Sequence, residues 1–160
     1  MSMKKYDKLT FVSHSDTCRG PMAEALMQDK LLLEDIIIDS RGMIVLFPEP
    51  VNQKAEEVLR QNGLTMEGHE AAPLTKDDFD DRTLILTMEA AEKEKILEEY
   101  ADAAKNVYTI TGYCGEEGDI FNPIGKDIPE YGKCFMILRD VIEKLAKVIK
   151  EEENDDSGWM

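Results

Sequence analysis

A chain of 160 residues with 42% hydrophobic content is long enough for one domain with a real core. Its formal charge of −15 makes nucleic acid a poor partner and repels phosphorylated substrates at long range, so any anion site must work locally. No apolar run reaches the length of a membrane span, and residues 1–5 are not followed by a signal-peptide apolar segment, so a cytoplasmic protein with no membrane partner is expected. The three Cys (Cys18, Cys114, Cys134) have no paired spacing, and two His (His14, His69) are too few for a His-rich metal site. Neither a disulfide framework, a metal nor a cofactor is called for.

Residues 6–12 read as a short strand, and Met22, Ala23, Ala25, Leu26 and Met27 read as a helix opened by Pro21. Residues 13–20 are then a tight loop between a strand and a helix N-terminus. Such a loop aims backbone N–H groups and the positive end of a helix dipole at one point. Arg19 adds a planar fork of donors suited to a tetrahedral oxyanion. The physical reading is a phosphate site with His14, Ser15, Asp16, Thr17, Cys18 and Arg19 around the anion.

The first helix ends near Lys30. Ile36-Ile37-Ile38-Asp39-Ser40 is a short strand expected to be buried on both faces. Residues 41–50 form a loop held by Gly42, Pro48 and Pro50. Residues 51–61 are helical, with Val51, Ala55, Val58 and Leu59 as the apolar stripe and Asn62-Gly63 as the stop. Residues 65–83 are polar and irregular. Leu84-Ile85-Leu86-Thr87-Met88 is a third strand, followed over 89–100 by a charged helix with Ala90, Lys93, Ile96 and Leu97 on adjacent turns. Residues 106–110 are a fourth strand, and 112–118 a flexible loop. A long helix over 129–150 buries Cys134, Phe135, Leu138, Val141, Ile142, Leu145 and Val148. The domain is thus residues 1–150, and 151–160 is an acidic tail, expected to be disordered with Trp159 exposed. Strands alternating with helices give a single α/β domain: a four-stranded parallel sheet flanked by helices on both faces, with the phosphate loop after the first strand and ligand at the strand C-termini.

The string Cys18-Arg19-Gly20-Pro21-Met22-Ala23-Glu24-Ala25 resembles the phosphate loop of low-molecular-weight protein tyrosine phosphatases, Cys-x5-Arg-Ser-Pro-Met-Ala-Glu-Ala. The resemblance extends over about residues 6–150. Ser40-Arg41-Gly42 falls where the family has Ser-Ala-Gly, and His69 where a His is common. Residues 84–88 match its Leu-x-Leu-x-Met strand. Gly118-Asp119-Ile120-Phe121-Asn122-Pro123-Ile124-Gly125 matches Gly-Asp-Ile-x-Asp-Pro-x-Gly, the loop with the general acid. The resemblance implies phosphomonoester hydrolysis through a cysteinyl-phosphate, with a phosphotyrosine protein, a small aryl phosphate, or inorganic phosphate or sulfate as partner.

At the positions that carry this chemistry the chain departs from the pattern. The nucleophilic Cys falls on Ser13 and the general acid on Asn122. The usual Gly, Asn and post-Arg Ser are Ser15, Asp16 and Gly20. A serine hydroxyl gains little from an environment that ionises a thiol and needs an adjacent base. Asn122 cannot give up a carboxyl proton, a loss worth roughly 10²–10⁴-fold. Asp16 puts negative charge in an anion loop, or caps loop amides. Asp119 and Asp127 are most simply solvated loop carboxylates. Phe47 is the candidate substrate wall, Tyr113 a weaker one. Three readings follow: a phosphatase whose Cys was exchanged for Ser to trap substrate, a natural pseudophosphatase that binds without turnover, and an arsenate reductase of the same fold. The last needs two relay Cys, and Cys114 and Cys134 have the wrong spacing. Five departures together fit drift better than a single-site trap, which favours the pseudoenzyme.

Overall fold

A computed structural model describes residues 5–32 and 34–158, with side chains through 152. Trp159 lies outside the described residues. Four strands, β1 (Lys8–Ser13), β2 (Ile37–Gly42), β3 (Thr83–Thr87) and β4 (Val107–Thr109), pair in parallel in the order β2-β1-β3-β4. Among the described residues five α-helices accompany them: α1 (Arg19–Lys30), α2 (Gln53–Gln61), α3 (Ala90–Glu99), the single turn α4 (Ile110–Tyr113) and α5 (Ile128–Gly158). The family of parallel strands with interposed helices is thus the one that the alternation of elements demands.

Strand period divides the core into two. Leu9 and Phe11 of β1 and Leu84 and Leu86 of β3 face α1, α2 and α5, joining Met22, Leu26, Val58, Leu59, Phe135, Leu138 and Ile142. Val12 and Ile85 face the other way and meet Ile96 of α3, Leu74, Phe79 and Val107. Helices therefore cover both faces.

Several boundaries differ from the sequence expectation. The Ile run lies on an edge strand, not an interior one: β2 has only β1 beside it, and Ile37 is 63% exposed. Helix α1 begins at Arg19, so Pro21 is its third residue, still among the first four whose N–H groups have no intrahelical acceptor. In α3 the buried face is Glu92 and Ile96, while Leu97 is 45% exposed. Residues 110–113 of the expected strand end and loop form α4, capped by the Thr109 hydroxyl accepting from Gly112 N–H. Helix α5 continues to Gly158, so residues 151–158, which composition assigns to a disordered tail, are helical. Among the described residues no helix is long and apolar enough to cross a membrane.

Candidate functional site

Strand β1 is interior, so the loop that leaves it is flanked by chain on both sides. The carbonyls of Ser13 and His14 accept from Met43 and Ile44 N–H at 2.9 Å each, and that of Thr17 from Asn52 N–H at 2.8 Å. The Asp16 carbonyl pairs with His69 Nε2 at 2.8 Å. In a trans peptide the N–H points opposite to the carbonyl. Bonding these four carbonyls outward therefore turns the N–H groups of His14, Ser15, Thr17 and Cys18 to the other side of the loop. Cys18 is the N-cap of α1 and makes no side-chain cap bond, which leaves the amides of the first turn to a ligand. The Ser15 and Thr17 hydroxyls bond each other at 2.8 Å.

Asp16 shapes the loop. Its φ of +58° is in the left-handed region, which Asp and Asn tolerate better than most residues. The side chain is fully buried: Oδ2 accepts from Ala72 N–H at 3.1 Å and lies 3.6 Å from His69 Nε2, while Oδ1 has no hydrogen-bond donor among the described residues. Burial is the main influence on its carboxyl and pushes it above the ordinary range, against the pull of Ser40, Ala72, His69 and Arg41. His69 is thus a loop-packing residue. Ser13, 3% exposed, accepts at Oγ from Asp16 N–H at 3.3 Å.

Arg19 is 2% exposed. Its Nη1 donates to Glu89 Oε2 at 2.6 Å and to the Ile120 carbonyl at 2.7 Å, and Nη2 lies 3.7 Å from Glu92 Oε2. Glu92 Oε1 also accepts from Met88 and Glu89 N–H at 3.0 Å each. Burial pushes Glu92 up to about 7, with the Arg19 guanidinium opposing and Glu89 assisting. Neither glutamate was expected at the site. Their only signal in the sequence is the Glu89-x-x-Glu92 spacing at a helix start, a capping box. Burial also holds the Cys18 thiol far above its ordinary value and raises Cys134 to about 12, so both are inert.

A cavity of about 490 Å³ opens beside the loop, lined by His14, Met43, Ile44, Glu89, Ala91, Glu92, Lys95 and Asn122. Asn122 is exposed, and its Oδ1 accepts from Ile124 N–H at 3.1 Å. Phe47, 61% exposed, does not line this cavity; Met43 and Ile44 form the apolar wall. Tyr113 bonds Glu152 and stacks edge-on against Tyr108 elsewhere in the fold. Asp119 is not simply solvated: it accepts from Ala90 N–H at 2.9 Å and fixes the start of α3. A larger apolar groove of about 730 Å³ between α2 and α5 includes none of residues 13–19.

Residues 8–155 match the family model described as low molecular weight phosphotyrosine protein phosphatase. The chain belongs to this family. Within the low molecular weight phosphatases it is 34% identical over 138 residues to a low molecular weight protein-tyrosine-phosphatase PtpB of Staphylococcus haemolyticus, covering 86% of this chain and 96% of that protein. It is 29% identical over 147 residues to a protein-arginine-phosphatase of Geobacillus stearothermophilus, covering 91% and 98%. A cysteine-to-serine mutant of the YwlE arginine phosphatase with a phosphorylated active-site serine superposes with a TM-score of 0.85 at 28% identity, covering 92% of this chain and 98% of that one. The four-stranded α/β architecture is the fold of these phosphatases.

Proposed function

We propose that this phosphatase-family chain binds a phosphorylated group at the 13–19 loop and hydrolyses it at or near background. The observation that carries the reading is the loop frame itself. Four of its carbonyls are bonded outward and the Arg19 guanidinium lies buried at its end, an anion-binding arrangement that does not depend on a cysteine. Ser13 occupies the nucleophile position without an imidazole bonded to it, and Asn122 occupies the acid position beside the cavity. Both steps of a two-step hydrolysis then lack a partner, because Asn122 can neither protonate a leaving group nor activate water.

As for substrate, the family supports a phosphoprotein. The relatives named arginine phosphatases support phosphoarginine alongside phosphotyrosine, and the partly exposed Glu89 on the cavity wall offers a carboxylate to a guanidinium leaving group. The phosphoserine of the YwlE mutant supports one further element: Ser13 can accept a phosphoryl group and keep it.

The test is a kinetic set of parent, Ser13→Cys, Asn122→Asp and the double variant, assayed with p-nitrophenyl phosphate and with phosphotyrosine and phosphoarginine peptides. Steady-state turnover by the parent stays at background. Ser13→Cys restores slow turnover of p-nitrophenyl phosphate, whose leaving group hardly needs protonation. Adding Asn122→Asp raises turnover of the peptides by roughly 10²–10⁴-fold. An active parent refutes the assignment of Ser13 and Asn122.

A further inference from the structure

Positions 13, 16 and 20 are three of the four at which the loop departs from the phosphatase string, and their atoms meet. A methyl group placed on Gly20 would lie 3.1 Å from Ser13 Oγ and 3.0 Å from Asp16 Oδ1. The hydroxyl and the carboxylate oxygen therefore both close on the face of residue 20, an approach that its lack of a side chain permits. On the Asp16 side that oxygen is a buried acceptor with no donor among the described residues, an arrangement that native interiors rarely leave unfilled. The Ser40 hydroxyl beside it donates to Glu24 Oε1 at 3.0 Å. On the Ser13 side, the Asp16 amide occupies a lone pair of Oγ, which leaves the hydroxyl proton to be given elsewhere.

We propose that Asp16 is the proton acceptor through which Ser13 takes a phosphoryl group, making the loop a serine-type, single-turnover phosphoryl acceptor. The proposal rests on the functional reading above, in that a phosphorylated group must first occupy the loop. Serine is a poor nucleophile until a neighbouring base removes its proton as the new bond forms, and aspartate plays that part toward hydroxyls in phosphoryl transfer elsewhere. Ser13 Oγ attacks phosphorus and the Oγ–P bond forms. The bond from phosphorus to the leaving oxygen breaks, and the aryl group departs with the electron pair as a phenolate. The Ser13 proton passes to the Asp16 carboxylate across the face of Gly20 as the two oxygens close on each other. Asn122 offers no base to activate water for the second step, so the phosphoserine stays.

The carboxylate is placed for this work by every element packed against it. Ala72 N–H and His69 hold Oδ2, Arg41 contributes positive charge and Glu24 negative charge from behind Ser40. That leaves Oδ1 as the oxygen without a donor among the described residues, at the face of Gly20 that Ser13 Oγ also approaches. With burial raising the Asp16 carboxyl above the ordinary carboxylate range, its basic form grows in at higher pH than that of an exposed aspartate.

The experiment uses the full chain with p-nitrophenyl phosphate, following the p-nitrophenolate burst and the gain of one phosphoryl group by intact-protein mass spectrometry. Vanadate binding is measured in parallel on every variant, and thermal unfolding shows that each is folded. The parent is expected to give one equivalent of phenolate and a phosphate mapped to Ser13, with Ser13→Ala giving neither. Asp16→Asn, which keeps size and the loop amide, is expected to slow the burst by roughly 10²–10⁴-fold and to lose the alkaline-rising limb of the pH profile. Gly20→Ala, which sets a methyl group against both oxygens but keeps them, is expected to slow it as well. A parent that binds vanadate yet is never phosphorylated overturns the proposal, as does an Asp16→Asn variant that reacts at the parent rate. A parent that binds no vanadate refutes the functional reading instead.

Discussion

Replacing Glu92 by Gln tests the electrostatics at the Arg19 end of the site. Glu92 moves from an ordinary value of 4.5 to about 7 on folding, chiefly because it is buried at the start of α3. Between those two pH values the folded chain keeps a proton that the unfolded chain has lost, so stability falls as pH rises through the window. At ~1.4 kcal/mol per pH unit, ionised Glu92 costs the fold roughly 2–4 kcal/mol above pH 7, the attraction of Arg19 already included. Gln keeps the acceptor for the Met88 and Glu89 amides and carries no charge at any pH. Urea unfolding of parent and Glu92→Gln, followed by circular dichroism from pH 4.5 to 8, is therefore expected to give matching stabilities at the acid end. The curves should diverge steadily above pH 5, with the variant ahead by that margin at pH 8. Asp16 and Glu24 also have raised carboxyls, and the net charge acts on both chains alike, so these cancel in the difference. Parallel curves, or a variant weaker than the parent at pH 8, would refute the reasoning.

Arg19→Ala is expected to abolish measurable vanadate or phosphate binding by calorimetry, and unchanged affinity would mean that the loop is not the anion site. It should also destabilise the chain by roughly 3–5 kcal/mol near neutrality, because Glu89 and Glu92 lose their counter-charge, and by less near pH 5, where Glu92 takes a proton. Asn52 caps α2 through Oδ1, accepting from Lys54 and Ala55 N–H at 2.9 and 3.4 Å, so Asn52→Ala should cost about 1 kcal/mol in urea unfolding.

The parts of the fold written in local pattern were legible before any coordinates. Short apolar stretches located β1 and β3, and the Ser13–Pro21 stretch announced a strand, a loop and a helix. What the sequence left open depended on partners far away along the chain. The Ile run at 36–38 has the composition of an interior strand, but strand order is a property of the whole sheet, and β2 ended at its edge. Asp16 was ambiguous between weakening the anion loop and capping amides. Its partners His69 and Ala72 lie 53 and 56 residues on, beyond any window of periodicity. Glu92 was hidden for a different reason: a carboxylate in a charged helix is usually solvated, and only the arrival of Arg19 and the turn after β3 buries this one. Phe47 was the best remaining aromatic candidate for the wall; the apolar side chains that line the cavity, Met43 and Ile44, come from the same loop but carry no aromatic signal.

The outward-bonded carbonyls of the loop have a thermodynamic consequence. Their partners come from three separate stretches, at residues 43–44, 52 and 69, and Met88 bonds Val12 just before the loop. The shortest fragment that contains the loop and all of these partners runs over residues 12–88 and takes in three of the four strands, so the loop is built only as the sheet is assembled. An anion held there is bound by the native state alone, and its binding free energy is added to the stability of the entire chain by mass action. Ligand at the loop would then slow hydrogen exchange at amides as distant as the α5 core, wherever exchange requires global unfolding, and leave fraying ends untouched.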